Sequence, residues 1–482
     1  MPPAVAIDEI RRHMPWLVAV ALFMENLDAT IVNTAAPTMA ASLAVQPLSL
    51  KGVLTSYTLA LAVFIPISGW AADRFGTKRV FQAAILLFIL GSLLCGFSVN
   101  VPMLVASRLL QGAGGAMMTP VGRLALVRTF PRAEMITAMN YVVIPALIGP
   151  LVGPFLGGLI VHWFHWRVIF FINVPLGLAG LWMARKWMPD FSDEHTPPID
   201  WTGFLLFGSG ILGLSYVLEV ISDHSWSYAM TAQLLFVALA LLGLYGWHAN
   251  RSRAPLLDLH LLNIRTFRVS VLGGFVTRLG VGGMPFLLPL LYQVGAGYLP
   301  WQAGLLTMPQ AVSAIGMKLM SKPLLARFGH RNVLRVNTVV MGVFIAGFAL
   351  VGPGTPIWAI VMLSLAQGLA SSMQFTSMNS LVYADVSDAD ASKASSIAST
   401  AQQLALSFGV AFGSVATAWF LADVPQSDRS AFVGALHHAF LVLGALTALS
   451  SLSFAELQAD DGSNVSRHRH KPAFEDMVEK TA

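Results

Sequence analysis

Arg74-Phe75-Gly76-Thr77-Lys78-Arg79-Val80 returns far along the chain as Arg327-Phe328-Gly329-His330-Arg331-Asn332-Val333. Each copy falls at a basic turn between two apolar runs, at the same place in a six-helix unit. One such stretch carries little information, but two in register mark an internal repeat of the kind that builds secondary transporters. Outward from the first copy, apolar runs alternate with charged or Pro/Gly-rich breaks and predict fourteen spans. Six lie near 15–36, 50–71, 80–98, 101–122, 135–161 and 166–185, and two near 202–221 and 231–249. The last six lie near 269–292, 302–320, 333–351, 356–376, 396–421 and 434–454. The expected fold is an all-α polytopic membrane protein. It has a cytoplasmic N-terminus (1–14), a six-helix half (15–185), a linker with two inserted helices (186–267), a second six-helix half (268–454) and a cytoplasmic tail (455–482).

Composition supports that reading. Hydrophobic residues make up 56% and charged residues 11%, with a mean hydropathy of +0.68, whereas soluble domains carry about 25% charge. Runs of roughly 20 apolar residues cross a ~30 Å hydrocarbon core as helices, whose backbone polar groups are satisfied internally. A membrane β-barrel would show alternating segments of about ten residues, and these runs are continuous. The single cysteine, Cys95, excludes an internal disulfide and a cysteine metal site. Arg11 and Arg12 before the first run suggest a signal peptide, but Glu25 and Asp28 within it favour a retained span. The net charge of +5 is scattered through short loops, which argues against nucleic-acid binding.

The loop charges set the topology. Arg11, Arg12, Arg74, Lys78, Arg79, Arg123, Arg128, Arg251, Arg253, Arg265, Arg268, Lys322 and Arg327 fall on one side, against little beyond Lys51, Arg167 and Arg429 on the other. With an even number of spans, both termini are expected in the cytoplasm of a bacterial-type inner membrane. The acceptor tripeptide Asn464-Val465-Ser466 then has no access to glycosylation.

Several motifs resemble the major facilitator superfamily, in particular its fourteen-span drug:proton antiporters of the EmrB/QacA type. The stretch from Gly69 to Arg79 is similar to that superfamily's loop signature, departing at Ala71 and Thr77. Leu27 to Asn33, Arg108 to Gly112 and Gly153 to Gly158 resemble the first-, fourth- and fifth-helix motifs of its drug exporters. Trp166-Arg167, Phe170 to Pro175 and Asp200 to Gly203 resemble the fourteen-span subgroup. The resemblance covers nearly the whole chain. It implies proton-coupled export of small molecules by alternating access, with substrate, protons and the lipid bilayer as partners and no cofactor. Accessory efflux proteins stay open.

Asp28 lies about 13 residues into its span, near 20 Å deep at ~1.5 Å per residue, and Arg108 reaches a similar depth from the other side. Burying either charge alone is costly, so a pair or a wet cavity is expected. A carboxylate whose environment changes can bind a proton in one state and release it in another, although a static ion pair fits the same facts. Glu25 shares the Asp28 helix face and, with Asn33 and Arg278, is a candidate for the substrate cavity. Glu25 could select cations or simply face water, and depth alone allows a contact with Arg278.

Gly149, Gly153 and Gly157 form a flat stripe for close helix approach, interleaved with Pro150 and Pro154 and followed by Gly158. In the antiporters it resembles, this motif seals the cavity; packing alone is the plainer account. Gly69, Asp73, Arg74, Gly76, Lys78 and Arg79 are expected to form a conformational latch, with Asp73 bracing a helix N-terminus, or else a solvated topology signal. Lys318 is expected to snorkel, Glu219 to reach the outer surface, and His437-His438 to be a surface pair rather than metal ligands. Gly112-Ala113-Gly114-Gly115 lacks the strand a phosphate loop needs, and no nucleotide, HExxH or GxSxG motif supports an enzyme. Export of one physiological metabolite is the alternative transport function.

Overall fold

The computed structural model describes residues 7–131, 134–193, 196–223, 227–387, 390–422 and 424–466. Among these there are helices and no strands. In the first half α1 is Ile7–Ser42, α2 Lys51–Phe75, α3 Thr77–Gly96, α4 Val101–Thr129, α5 Met135–Trp163 and α6 Val168–Trp187. Two helices follow, α7 (Trp201–Asp223) and α8 (Tyr228–Ala249). In the second half α9 is Arg265–Gly295, α10 residues 300–328, α11 residues 330–350, α12 Ile357–Leu381, α13 Ala391–Leu421 and α14 Arg429–Glu456.

Helix α9 widens into i→i+5 turns at Val269–Gly273 and Leu291–Gly295 and is interrupted by a turn at Gly283. Among the described residues twelve segments are long and apolar enough to cross a membrane. Pro300–Leu350 counts once there but breaks at Gly329 (φ 71°, ψ 161°), and Val101–Thr129 is diluted by its glycines and arginines. With these two adjustments the membrane-length helices among the described residues number fourteen. Helix α1 begins at Ile7 rather than near 15. Hydropathy marks where lipid begins, whereas the hydrogen-bond ladder runs on through polar residues at the interface.

Local chemistry sets the helix ends. Gly76 (φ 95°) and Gly329 (φ 71°) both sit in the left-handed region, which explains why the repeated turn keeps glycine. The Asn100 side chain accepts from the Met103 amide to start α4, and Asp428 accepts from the Ser430 and Ala431 amides to start α14.

In the first half α1 packs on α5, and α4 on α2 and α3; in the second, α9 packs on α13 and α14, and α12 on the α10–α11 pair. The halves meet at the end away from the Arg-Phe-Gly turns. There Gln293 donates to the Thr34 carbonyl (2.8 Å), Ser407 to the Thr55 carbonyl (3.1 Å), and α5 runs against the start of α10. Toward the basic end the walls part: Gly69 is exposed and a side chain there would meet nothing within 4 Å, and Arg123 on α4 and Asn379 on α12 are exposed. Helices α7 and α8 lie outside both bundles, with α7 against α2 and α13.

Candidate functional site

Helices α1, α3, α4 and α6 converge on a buried polar cluster in the first half. Asp28 Oδ2 and Arg108 Nη1 are 2.5 Å apart, with both side chains inaccessible to solvent. Asp28 Oδ1 also accepts from Gln111 Nε2 (2.8 Å) and Asn173 Nδ2 (2.7 Å). The Arg108 guanidinium donates to Gln111 Oε1 (2.7 Å) and the Val53 carbonyl (3.4 Å) and lies 4.2 Å from the Tyr57 ring centroid. Ser92 Oγ joins Gln111 (2.6 Å) and Asn173 (3.2 Å). The ion pair read from depth is therefore formed, and two amides finish solvating it.

Sequence reasoning placed Asp28 and Arg108 but assigned no role to Ser92, Tyr57, Gln111 or Asn173. Gln111 had a signal, since it lies one turn after Arg108 on the same face. Asn173 fell within the Phe170–Pro175 motif, but as a single amide in an apolar run its helix partners could not be read from the chain.

The candidate cavity residues separate. Glu25 is half-buried and accepts a hydrogen bond from Thr119 of α4. Arg278, 6% exposed, donates to Asn379 Oδ1 (3.0 Å) and lies 5.2 Å from the Phe375 ring centroid, both on α12. No Glu25–Arg278 contact forms, because each is held by the fourth helix of its own half. Asn33 is buried further along α1.

The turn from Gly69 to Arg79 differs from expectation in its partners. Asp73 accepts from Arg128 Nη2 (2.7 Å) in the last turn of α4, a helix C-terminus rather than an N-terminus. The carboxylate at the start of α3 is Asp190, which accepts from the Lys78 amide (3.1 Å) and lies 3.8 Å from Arg79 Nε. Asp190 also fills the space a side chain at Gly76 would need. The segment after α6 is stapled here by Thr77 to the Pro189 carbonyl (3.2 Å) and Trp70 to the Pro197 carbonyl (2.9 Å). Arg74 is exposed.

On α5 the stripe divides. Gly149, Gly153 and Gly157 face Asn26, Thr30 and Ile31 of α1, inside the first half. The cross-half contact falls to Gly158, where a Cβ would collide with the Pro300 carbonyl, and reciprocally to Gly304, where one would collide with the Pro154 carbonyl. Within the motif, the close approach between the halves thus falls on Gly158, one residue on from Gly157 and about 100° around the helix. Pro150 is half-buried within α5. Glu219, expected at the outer surface, is half-buried there, its carboxylate beside Gly52 at the outer end of α2. Among the described residues no group of acids, histidines or cysteines could hold a metal.

A family model for the Major Facilitator Superfamily matches residues 18–410 and 270–473. The chain belongs to this superfamily. It is a multi-pass membrane transporter and not an enzyme. Within the superfamily it is 39% identical over 449 residues to a Serratia proteamaculans protein named "Putative multidrug resistance protein MdtD", covering 93% of this chain and 94% of that one. A protein of the same name from Cronobacter sakazakii is 38% identical over 460 residues, 95% and 98% of the two chains. Among solved structures it is similar to a bacterial homologue of the lysosomal transporter Spinster (TM-score 0.68, 13% identity, covering 96% and 99%). It is also similar to a D-xylose-proton symporter (TM-score 0.66, 14% identity, covering 94% and 99%). At these identities the structural likeness is one of Major Facilitator fold.

Proposed function

We propose that the protein is a proton-coupled antiporter of the bacterial inner membrane, with both termini cytoplasmic, which exports toxic small molecules of several kinds. The observation that carries this reading is the Asp28 carboxylate, held within the bilayer by Arg108, Gln111 and Asn173. Protonating Asp28 would weaken its hold on Arg108 and strand that charge, so proton occupancy and helix arrangement are linked. Alternating access would then expose Asp28 to one side before and the other side after substrate exchange. The multidrug-resistance name of relatives near 39% identity supports the substrate breadth.

The test uses purified protein in proteoliposomes with an imposed pH gradient. Gradient-driven movement of ethidium and other dyes, with substrate-evoked proton movement, is expected for the native chain and absent in Asp28→Asn. Facilitated dye flux indifferent to the gradient would reject the antiport mechanism.

A further inference from the structure

Arg74 and Arg327 stand 253 positions apart, and so do Glu25 and Arg278. The two side chains occupy equivalent places on the first helix of each half: each is 17 positions from the outer helix end, Ser42 in α1 and Gly295 in α9. Their partners correspond too, with Thr119 on α4 and Asn379 with Phe375 on α12, the fourth helix in each half. The same step carries Asp28 onto Val281, so the coupling pair is not duplicated. The Glu25 position is kept with its charge reversed.

We propose that the cleft between the halves binds ligands that carry both a cationic and an anionic group, the cation toward Glu25 and the anion toward Arg278. This names a substrate class for the transport function above and rests on it. Arg278 is buried with one amide acceptor and an aromatic face, and no carboxylate lies within ion-pair distance among the described residues. A guanidinium has five donors in a fork suited to a carboxylate or similar anion, so most of its capacity is unspent. Burial without an opposite charge is costly, and an incoming anion would offset that cost. A purely cationic ligand meets repulsion at one wall and a purely anionic ligand at the other. A dipolar ligand satisfies both.

The test uses three probes on one fluorophore: Nε-dansyl-lysine (both charges), monodansylcadaverine (cation) and dansyl-6-aminohexanoate (anion). Binding to the full-length protein in nanodiscs is followed by dansyl emission. Nε-dansyl-lysine is expected to bind at least about tenfold more tightly than either singly charged probe. Glu25→Gln should remove its advantage over the anion, Arg278→Gln its advantage over the cation, and Arg278→Lys should restore part of the latter. The native chain tests the idea without any variant: no preference for the doubly charged probe overturns it. Equal weakening of all three probes in both variants also overturns it. If the charge pattern holds while proteoliposomes show no proton movement, the antiport reading fails and this site stands. Proton-coupled transport without the charge pattern overturns the site and leaves antiport standing.

Discussion

Replacing Asp28 with asparagine keeps the side-chain shape and isolates the charge. The amide oxygen retains the bonds from Gln111 and Asn173 at the Oδ1 position, 2.8 and 2.7 Å away in the native protein. The new NH2 group takes the place of Oδ2, 2.5 Å from Arg108 Nη1, and sets donor against donor. Arg108 then keeps Gln111 Oε1, the Val53 carbonyl and the Tyr57 face, none of which carries a formal negative charge. Removing one partner of a buried pair typically costs about 3–5 kcal/mol, because the other charge remains buried. Three neutral contacts offset part of this, so the lower figure, about 3 kcal/mol, is expected for unfolding by denaturant in mixed micelles. Adding Arg108→Gln removes the stranded charge and should recover about 2 kcal/mol, while gradient-driven export stays abolished. Stability and coupling therefore part company in the double variant. The reasoning fails if Asp28→Asn is as stable as the native protein, or if the double variant is no more stable than the single one. Gradient-driven export by Asp28→Asn would remove this residue from the coupling mechanism.

The other expectations concern packing and loops. Gly158→Leu or Gly304→Leu should pry α5 from α10 and raise passive proton leak in vesicles, whereas Gly157→Leu should act within the first half and lower stability without comparable leak; equal leak from all three would contradict the division of the stripe. Asp73→Asn loosens the bond to Arg128 and should slow transport with little change in equilibrium dye affinity, and a large affinity change with normal turnover would instead assign Asp73 to binding. Burial opposes ionisation of Asp258, but the hydrogen bond and charge of Lys393 together with the hydrogen bonds from His260 outweigh it and hold the carboxyl below its ordinary 3.8. The lowered folded value means this stabilisation is fully present above the ordinary carboxyl range and is lost as pH falls through the lowered value. Lys393→Met should flatten that acid slope, by under ~1 kcal/mol for so exposed a pair, and an unchanged slope between about pH 5 and 3 would refute it.

Much of the architecture was legible because lipid imposes a coarse rule, about twenty apolar residues per crossing, that leaves its mark on the chain. The two repeated turns gave the division into halves, and Gly76 and Gly329 show the backbone reason. The Asp28–Arg108 pair was readable from depth, because two isolated charges at one level have few other solutions. Rotation about the helix axis was not readable. It places Gly158 rather than Gly157 against α10, turns Arg278 toward Asn379 rather than Glu25, and gives Asp73 to Arg128. Charge alone could not reveal Asn173 or Ser92, since lone amides and hydroxyls are common on membrane helices. Asp190 was hidden for another reason: it caps α3 from a segment 112 residues away, and no local pattern announces a cap supplied from such a distance.

Helices α7 and α8 share a cluster with both halves: Phe207 and Ile211 join Leu59, Ala62 and Val63 of α2 to Leu404 and Phe408 of α13. The rest of α8 faces outward, with only 11% of its most apolar window buried. The inserted pair thus straddles the seam on the lipid side like a flange across a hinge. Any rocking of one half on the other must shear this flange through the acyl chains or carry it along with one half. The cross-section of the protein at that depth changes in either case. Turnover then becomes a function of bilayer thickness and lateral pressure, and the membrane itself acts as a load on the transport cycle.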